Sequence, residues 1–193
     1  KKEFGDYQTP LDFCYRVCNY IKESRLAEDA AAIMEPTCGV GNFLLAASNT
    51  FACSKLIGIE VNAKRADAAR IEVPSATIET NDIFNVSTKT LCGEDCVLVI
   101  GNPPWATNSE LSFNLPPKTN FKGLRGIEAI TGSSNFDICE YIILKLIGEY
   151  KHTNSTICML KRFTGCWLIL YNLSPNYPQG IWRKSSDNQE MRF

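Results

Sequence analysis

Histidine is scarce in this sequence: its 193 residues include one, His152. Serine or cysteine nucleophiles that depend on a histidine base are therefore not expected. The cysteine pair Cys92 and Cys96 has no histidine nearby and no second pair at the spacing of zinc ligands, so we expect no metal site. The nine cysteines are odd in number, and several, such as Cys14 and Cys158, stand in apolar patterns, which predicts reduced thiols in the core.

An excess of charge and a long apolar run are also missing. The chain has 20 basic and 21 acidic residues and a sequence isoelectric point near 5.9, so its net charge gives no general attraction to nucleic acids or anionic membranes. No apolar run reaches the length that spans a bilayer, and the N-terminus shows no signal-peptide pattern. We expect a soluble protein of the cytoplasm with no membrane partner, in which any contact with nucleic acid is local.

What the sequence does contain is an alternation of apolar strands with amphipathic helices. It predicts an α/β fold, a doubly wound and mostly parallel sheet with helices on both faces and ligands at the carboxyl ends of the strands. Thr9 is the predicted N-cap of the first helix, with Pro10 at its first position. The predicted strands are 31–34, 55–60, 76–79, 97–100 and 156–160, and the predicted helices are 11–24, 63–72 and about 136–150, with another after Phe43.

The stretch EPTCGVGNF, from Glu35 to Phe43, places two glycines between a predicted strand and a predicted helix. Without side chains, Gly39 and Gly41 let the backbone approach a ligand, and the helix N-terminus offers unpaired N–H groups. A turn needed only for tight packing would explain the same glycines. Glu60 ends the next strand, where a carboxylate can accept hydrogen bonds from both hydroxyls of a ribose. Together these features favour a nucleoside-containing cofactor.

A further polar end follows the strand at 76–79, in the run Asn81-Asp82-Ile83-Phe84. Asp82 could accept a hydrogen bond from an adenine amino group, and Ile83 or Phe84 could cover the ring. An ordinary cap or turn would explain Asp82 equally well. Three consecutive strand ends thus carry a glycine turn and two carboxylates, which fits an adenosine moiety lying across the edge of the sheet.

The run Asn102-Pro103-Pro104-Trp105 follows the strand at 97–100. Its prolines remove two donors, so the loop presents the side-chain carbonyl of Asn102 and the main-chain carbonyl of Pro103. Two such acceptors suit a substrate amino group, whose lone pair they would aim at an electrophile. Trp105 offers a flat face on which an extruded base could stack. A proline turn with a packed tryptophan is the alternative.

These motifs, in this order and spacing, resemble those of S-adenosylmethionine-dependent amino-methyltransferases. They look most like the N6-adenine DNA methyltransferases of bacterial restriction-modification systems. The opening GDYQTP, from Gly5 to Pro10, is similar to the segment that closes over the methionine end of the cofactor in the subgroup with an N-terminal cofactor motif. The resemblance covers Lys1 to about Leu160, and it implies the Rossmann-like class I methyltransferase form of the predicted sheet.

The resemblance also implies a reaction and roles for individual residues. S-adenosylmethionine would be the cofactor, and a flipped adenine in double-stranded DNA would receive the methyl group by direct displacement. The residues implied at the target amino group and base are Asn102, Pro103, Pro104, Trp105 and Phe136, with Asp137 beside them. The residues implied in cofactor binding are Thr9, Pro10, Glu35, Pro36, Cys38, Gly39, Gly41, Asn42, Phe43, Glu60, Val61, Asp82 and Ile83.

The chain departs from this family after the strand at 156–160, where members carry a helix, an antiparallel hairpin and a target recognition region. Residues 167–171 could form one more strand, but no element is predicted beyond them. We therefore expect a catalytic core at 1–160 and an atypical tail at 161–193 without a target recognition domain, with a specificity or restriction subunit as a possible partner. Methylation of RNA or of a glutamine amide in protein, and a non-catalytic cofactor-binding subunit, are the alternatives.

Overall fold

The computed structural model describes residues 8–52, 55–93, 95–104, 138–163, 165–173 and 181–184. Its helices are α1 (Leu11–Glu23), α2 (Asn42–Thr50), α3 (Ala63–Glu72), α4 (Thr88–Cys92) and α5 (Ile138–Tyr150), with a 3₁₀ helix at Ile83–Asn85. Its strands are β1 (Ala32–Glu35), β2 (Lys55–Glu60), β3 (Ala76–Thr80), β4 (Val97–Gly101), β5 (Thr156–Phe163), β6 (Gly165–Asn172) and β7 (Ile181–Lys184).

The strands form one seven-stranded sheet in the order β3-β2-β1-β4-β5-β6-β7. Strands β1 to β5 run parallel to one another, whereas β6 pairs antiparallel with β5 and β7 pairs antiparallel with β6. The predicted α/β fold with a mostly parallel sheet is confirmed, and every predicted strand overlaps an observed one. The sheet continues past Leu160, because β5 extends to Phe163 and β6 contains the strand suggested at 167–171. Strand β7 lies beyond that strand, in a stretch for which no element is predicted from the sequence.

The strand order reverses between β1 and β4. The chain runs outward from β1 through β2 to β3 and then returns to place β4 on the other side of β1. In open α/β sheets, ligands bind outside the carboxyl ends of the strands at such a switch point. The topology therefore points to the loops that follow β1 and β4.

Two apolar cores, one on each face, hold this switch point. Ile33 of β1 packs on the face covered by α1 and α2, whereas its neighbour Met34 packs on the face covered by α5. Successive side chains of a strand point to opposite faces, so a strand buried on both sides is an uninterrupted apolar run. Packing on both faces keeps the strand ends in fixed positions.

Several of the predicted core cysteines contribute to this packing. Cys14, Cys18, Cys139 and Cys158 are buried and form no disulfide within the described ranges. Burial, with the nearby Glu35 carboxyl as a second cause, raises the pKa of the Cys18 thiol to about 12. Burial also raises the pKa of the Cys14 and Cys158 thiols, so these three thiols are neutral apolar groups. None of the described helices has the length and apolar character needed to cross a bilayer.

The N-cap predicted for the first helix was wrong. Helix α1 begins at Leu11, its N-cap is Pro10, and no side chain caps it. The Pro10 carbonyl accepts hydrogen bonds from the N–H groups of Phe13 and Cys14, both at 3.1 Å. Thr9 lies one residue too early to cap this helix, and its hydroxyl is used elsewhere, at the end of β4.

Candidate active site

Three buried polar atoms lie without a hydrogen-bond partner among the described residues, and all three lie at or just after the ends of strands that meet at the switch point. They are Glu35 Oε2, Thr37 Oγ1 and Asn102 Oδ1. Glu35 ends β1, and Asn102 directly follows β4. The two strand ends lie close together, since a Cβ added to Gly101 would be in ordinary contact with Glu35 Cγ, at 3.4 Å. A buried polar atom without a partner costs about 1–3 kcal/mol, so the site holds groups that a polar ligand would satisfy.

Glu35 is a carboxyl group in an apolar setting, with 3% of its surface exposed. Burial raises its pKa well above its ordinary value, a backbone hydrogen bond from Leu44 at the start of α2 opposes this shift, and the charge of Glu60 adds to it. Its neutral form is therefore favoured as long as no cation lies beside it. A cationic ligand group at Oε2 would reverse that preference.

The glycine turn after β1 serves both packing and approach. Gly41 has φ +90°, which side chains rarely adopt, and a Cβ on it would lie 3.3 Å from both Ala69 Cβ and Val73 Cγ2 of the α3 region, so backbone conformation and packing together favour a glycine there. Gly39 has φ +55° and lies beneath the N-terminal segment, where a Cβ would meet Gln8 Oε1 at 2.4 Å. At Gly41, backbone conformation and packing within the fold explain the glycine. At Gly39, the missing side chain is what would let the backbone lie close to a ligand.

The other residues predicted in this turn differ in what they can offer a ligand. The side chains of Cys38 and Phe43 are 4% and 2% exposed and belong to the core. Pro36 is also buried. These three residues can therefore contribute little beyond their backbone to a ligand. The side chain of Asn42, by contrast, donates from Nδ2 to the Thr9 carbonyl at 2.8 Å.

Glu60, at the end of β2, is 6% exposed and fastens the glycine turn to the neighbouring strand. Its Oε2 accepts from the Gly39 N–H at 2.9 Å, and its Oε1 accepts from the Asn62 N–H at 2.7 Å. A carboxylate has about four lone-pair positions, so each oxygen can accept one further hydrogen bond. The structure therefore gives Glu60 a structural role that leaves room for ribose hydroxyls.

The end of β3 carries a turn-forming aspartate. Asp82 Oδ1 accepts from the Phe84 N–H at 3.0 Å and caps the 3₁₀ helix, which is the ordinary interpretation of this residue. Ile83, proposed from the sequence as cover for a ring, is only 5% exposed and packs in the core against α5. Val61, directly after Glu60, is 70% exposed. Val61 is thus better placed than Ile83 to contact an apolar ligand surface.

Asn102 is held by one end of its amide. Its Nδ2 donates to Thr9 Oγ1 at 2.9 Å, and its Oδ1 is the unpartnered acceptor. Pro103 is buried and Pro104 half-buried. Trp105, Phe136 and Asp137, the other residues predicted at the target, lie outside the described residues.

Two residues of this edge were not assigned a role from the sequence. Thr37 carries one of the three unpartnered atoms, and its only signal is a polar side chain in a buried turn. Gln8 accepts from the Val40 N–H at 3.2 Å, a contact between the N-terminal segment and the glycine turn that no local pattern indicates. Over the described part of the chain, no group of three or more histidine, cysteine, aspartate or glutamate residues could hold a metal ion.

Known proteins share this architecture. No family model matches the sequence. The chain is 38% identical over 172 residues to Type II methyltransferase M.NspV from a Nostoc species, in a match that covers 83% of this chain and 35% of the relative. It shares its fold with the methyltransferase subunit of a type I restriction-modification system from Streptococcus thermophilus, at a TM-score of 0.55 and 18% identity, covering 82% of this chain and 35% of that one.

A protein from Listeria monocytogenes assigned to the class I S-adenosylmethionine-dependent methyltransferases also superimposes on the chain. The TM-score is 0.52 at 15% identity, and the match covers 81% of this chain and 47% of that one. The chain has the class I methyltransferase fold. The Rossmann-like form of the sheet is thereby confirmed, and the identity to M.NspV shows homology to a Type II methyltransferase. The match spans about a third of that relative's length.

Proposed function

We propose that this chain carries the cofactor-binding and catalytic part of an S-adenosylmethionine-dependent DNA adenine-N6 methyltransferase. The observation that carries the proposal is Asn102 Oδ1, a buried acceptor at the switch point that has no partner within the described ranges. An acceptor in this position suits a ligand with an amino group. The homology to a Type II methyltransferase supports a restriction-modification role, and the sequence Asn102-Pro103-Pro104-Trp105 supports an amino group as the methyl acceptor.

The residues of this edge fit the chemical groups of the cofactor. The unpartnered Glu35 Oε2 and Thr37 Oγ1 would hold the polar methionine end, whose ammonium group favours the charged form of Glu35. Glu60 would accept from the ribose hydroxyls, Asp82 from the adenine amino group, and the exposed Val61 would cover the ring. When bound, this cofactor supplies a methyl group on a cationic sulfur, which makes that carbon electrophilic.

On the substrate side, Asn102 Oδ1 and the Pro103 carbonyl would accept the two N–H bonds of the target amino group. Two acceptors fix the plane of that group and direct its lone pair towards the methyl carbon. The bound cofactor would supply the methyl carbon as the electrophile and its sulfur as the leaving group, which would keep the electron pair of the C–S bond, and the extra proton on nitrogen would pass to solvent. No histidine base is required, and His152 lies in the turn before β5, at the opposite edge of the sheet.

Cofactor binding is the first test. Titration calorimetry of the full chain should show binding of S-adenosylmethionine and of its demethylated product, and absence of binding at millimolar ligand would refute the proposal. Glu60→Gln should weaken binding at least about tenfold, because its new NH₂ group would face one of the two backbone N–H donors and one acceptor is lost. Glu79→Gln, a half-buried carboxyl change on the neighbouring strand, is the matched control and should leave the affinity unchanged.

The acceptor is the second test. Tritiated S-adenosylmethionine and mixed-sequence double-stranded DNA should give labelled DNA, and nucleoside analysis should place the label on N6 of adenine. Label in RNA or in protein glutamine instead would show that the substrate is RNA or protein and not DNA. Cofactor binding with no transfer to any of these acceptors would support a non-catalytic subunit. The association with a specificity or restriction subunit is a further prediction, which co-purification with such a subunit would test.

A further inference from the structure

One contact links the N-terminal segment to the predicted amino-group acceptor. Asn102 Nδ2 donates to Thr9 Oγ1 at 2.9 Å across 93 residues of sequence. A side-chain amide has a donor end and an acceptor end, which exchange places on a half turn, so a partner that accepts from Nδ2 leaves Oδ1 as the end presented on the other side. With Nδ2 bound to Thr9, Oδ1 is the end left over, and it is the buried atom without a partner among the described residues.

Thr9 is itself fixed from two sides. Asn42 Nδ2, at the first residue of α2, donates to the Thr9 carbonyl at 2.8 Å. On the other side Pro10 caps α1, and its carbonyl is bound by the first turn of that helix. The adjacent Gln8 accepts from the Val40 N–H of the glycine turn. The Thr9 hydroxyl is therefore held in place by the same turn and helix that surround the proposed cofactor site.

We propose that Thr9 is the positioning residue for Asn102: its hydroxyl oxygen accepts from Nδ2 and thereby holds the amide with Oδ1 directed towards the target amino group. This inference rests on the proposed function. Without the hydroxyl, the amide loses the partner that the described residues give its Nδ2. It can then turn and present NH₂ to the substrate NH₂, so that two donors face each other. The role differs from that implied by the family resemblance, which places Thr9 against the methionine part of the cofactor.

The contact can be measured without any enzymatic activity. In the ¹⁵N-labelled full chain, the Asn102 side-chain amide is identified by its loss in Asn102→Asp, and its hydrogen exchange is followed. Thr9→Val, which keeps the shape and removes the hydroxyl, should speed this exchange at least about tenfold. Thr9→Ser, which keeps the hydroxyl, should stay within about twofold of the wild type. Equal exchange in Thr9→Val and the wild type would overturn the proposal.

Unfolding midpoints in urea establish that each variant is folded. If Thr9→Val does not fold, Asn42→Ala replaces it, because this change removes the bond that fixes the Thr9 backbone and should also speed exchange of the Asn102 amide. No change in that variant would equally overturn the proposal.

Kinetics separate positioning from cofactor contact. Thr9→Val should lower kcat for methyl transfer at least about tenfold with KM for the cofactor within about twofold, and Thr9→Ser should restore most of the rate. A raised cofactor KM with unchanged kcat would mean that Thr9 only contacts the cofactor, and the proposal would fall. A wild-type chain that neither binds cofactor nor transfers methyl would refute the proposed function, while the exchange comparison would still decide whether Thr9 holds Asn102.

Discussion

The two edges of the parallel sheet treat buried polar groups in opposite ways. At the amino edge, just before and within the start of β5, the buried hydroxyls are bonded. Thr153 Oγ1 donates to the Tyr150 carbonyl at 2.7 Å, Ser155 Oγ accepts from the Val97 N–H at 3.0 Å, and Thr156 Oγ1 donates to the Leu26 carbonyl at 2.7 Å. At the carboxyl edge, Glu35, Thr37 and Asn102 each keep a buried oxygen without a partner in the described part of the chain.

The difference separates polar residues that hold the fold from polar residues available to a ligand. A bonded hydroxyl such as that of Ser155 offsets the free-energy cost of its burial by a hydrogen bond within the protein. An unbonded buried oxygen at the switch point destabilises the fold, and folding alone does not explain why it is there. Buried polar atoms without partners concentrate at functional sites. Substitutions at the two edges should therefore affect different properties: stability at the amino edge, and binding or transfer at the carboxyl edge.

The largest effect is expected at Asn102. Asn102→Ala removes the acceptor that aligns the attacking nitrogen, so methyl transfer should fall at least about a hundredfold while cofactor affinity stays nearly unchanged. Asn154→Ala is the matched control at the amino edge, because Asn154 is exposed and its backbone N–H and carbonyl make the hydrogen bonds there, to the Asp95 carbonyl and from the Cys96 thiol. The measurement is single-turnover transfer to DNA together with calorimetry of cofactor binding. An equal loss of transfer and binding would mean that Asn102 supports the fold.

The next effect is on stability. Ser155→Ala leaves the Val97 N–H without its acceptor and should lower the free energy of unfolding by about 1–3 kcal/mol, with no change in cofactor affinity. Thr37→Val replaces a buried, unbonded hydroxyl by a methyl group of the same size, so it should leave the free energy of unfolding unchanged or raise it, while weakening cofactor binding. Urea unfolding measures both. Similar stability losses in the two variants would remove the contrast between the edges.

Glu35 should make the stability of the folded chain depend on pH, and its raised pKa fixes the direction of that dependence. Because its folded pKa lies above its ordinary value of 4.5, the folded state binds more protons between the two values. Stability without cofactor should therefore fall as pH rises through that window, by at most about 1.4 kcal/mol per pH unit, and Glu35→Gln should remove this slope. Urea unfolding of both proteins between about pH 5 and about pH 8 measures it. Parallel pH profiles would show that burial does not perturb Glu35 in the folded chain.

The fold was largely predictable because strands buried on both faces leave continuous apolar runs, as Val97 to Ile100 shows. Short elements were missed for the opposite reason. Helix α4 is five residues long, and its first turn is held by Glu149, whose Oε2 accepts from the Thr88 N–H at 2.8 Å across 61 residues. No local pattern contains that contact.

The candidate site was predictable at the level of residues but not of atoms. Glu35, Glu60 and Asn102 could be found because polar residues after apolar strands meet at one edge of a parallel sheet. The sequence does not reveal which oxygens the fold itself uses. Glu60 has already bound two backbone N–H groups, whereas Asn102 owes its free oxygen to Thr9, a residue 93 positions away.

The smallest expected effect concerns an apolar side chain at the carboxyl edge. Val61 and Ile71 are 70% and 79% exposed, and only Val61 directly follows a strand end of the proposed site. Partial burial of the Val61 side chain against the cofactor adenine would contribute about 0.5–1 kcal/mol, so Val61→Ser should weaken cofactor binding by about two- to fivefold. Ile71→Ser makes a comparable change in polarity on the exposed part of α3 and should leave binding unaltered. Both variants should unfold within about 0.5 kcal/mol of the wild type, since neither side chain is packed in the folded chain. Calorimetry with S-adenosylmethionine makes the comparison, and equal affinities for the two variants would exclude Val61 from the site.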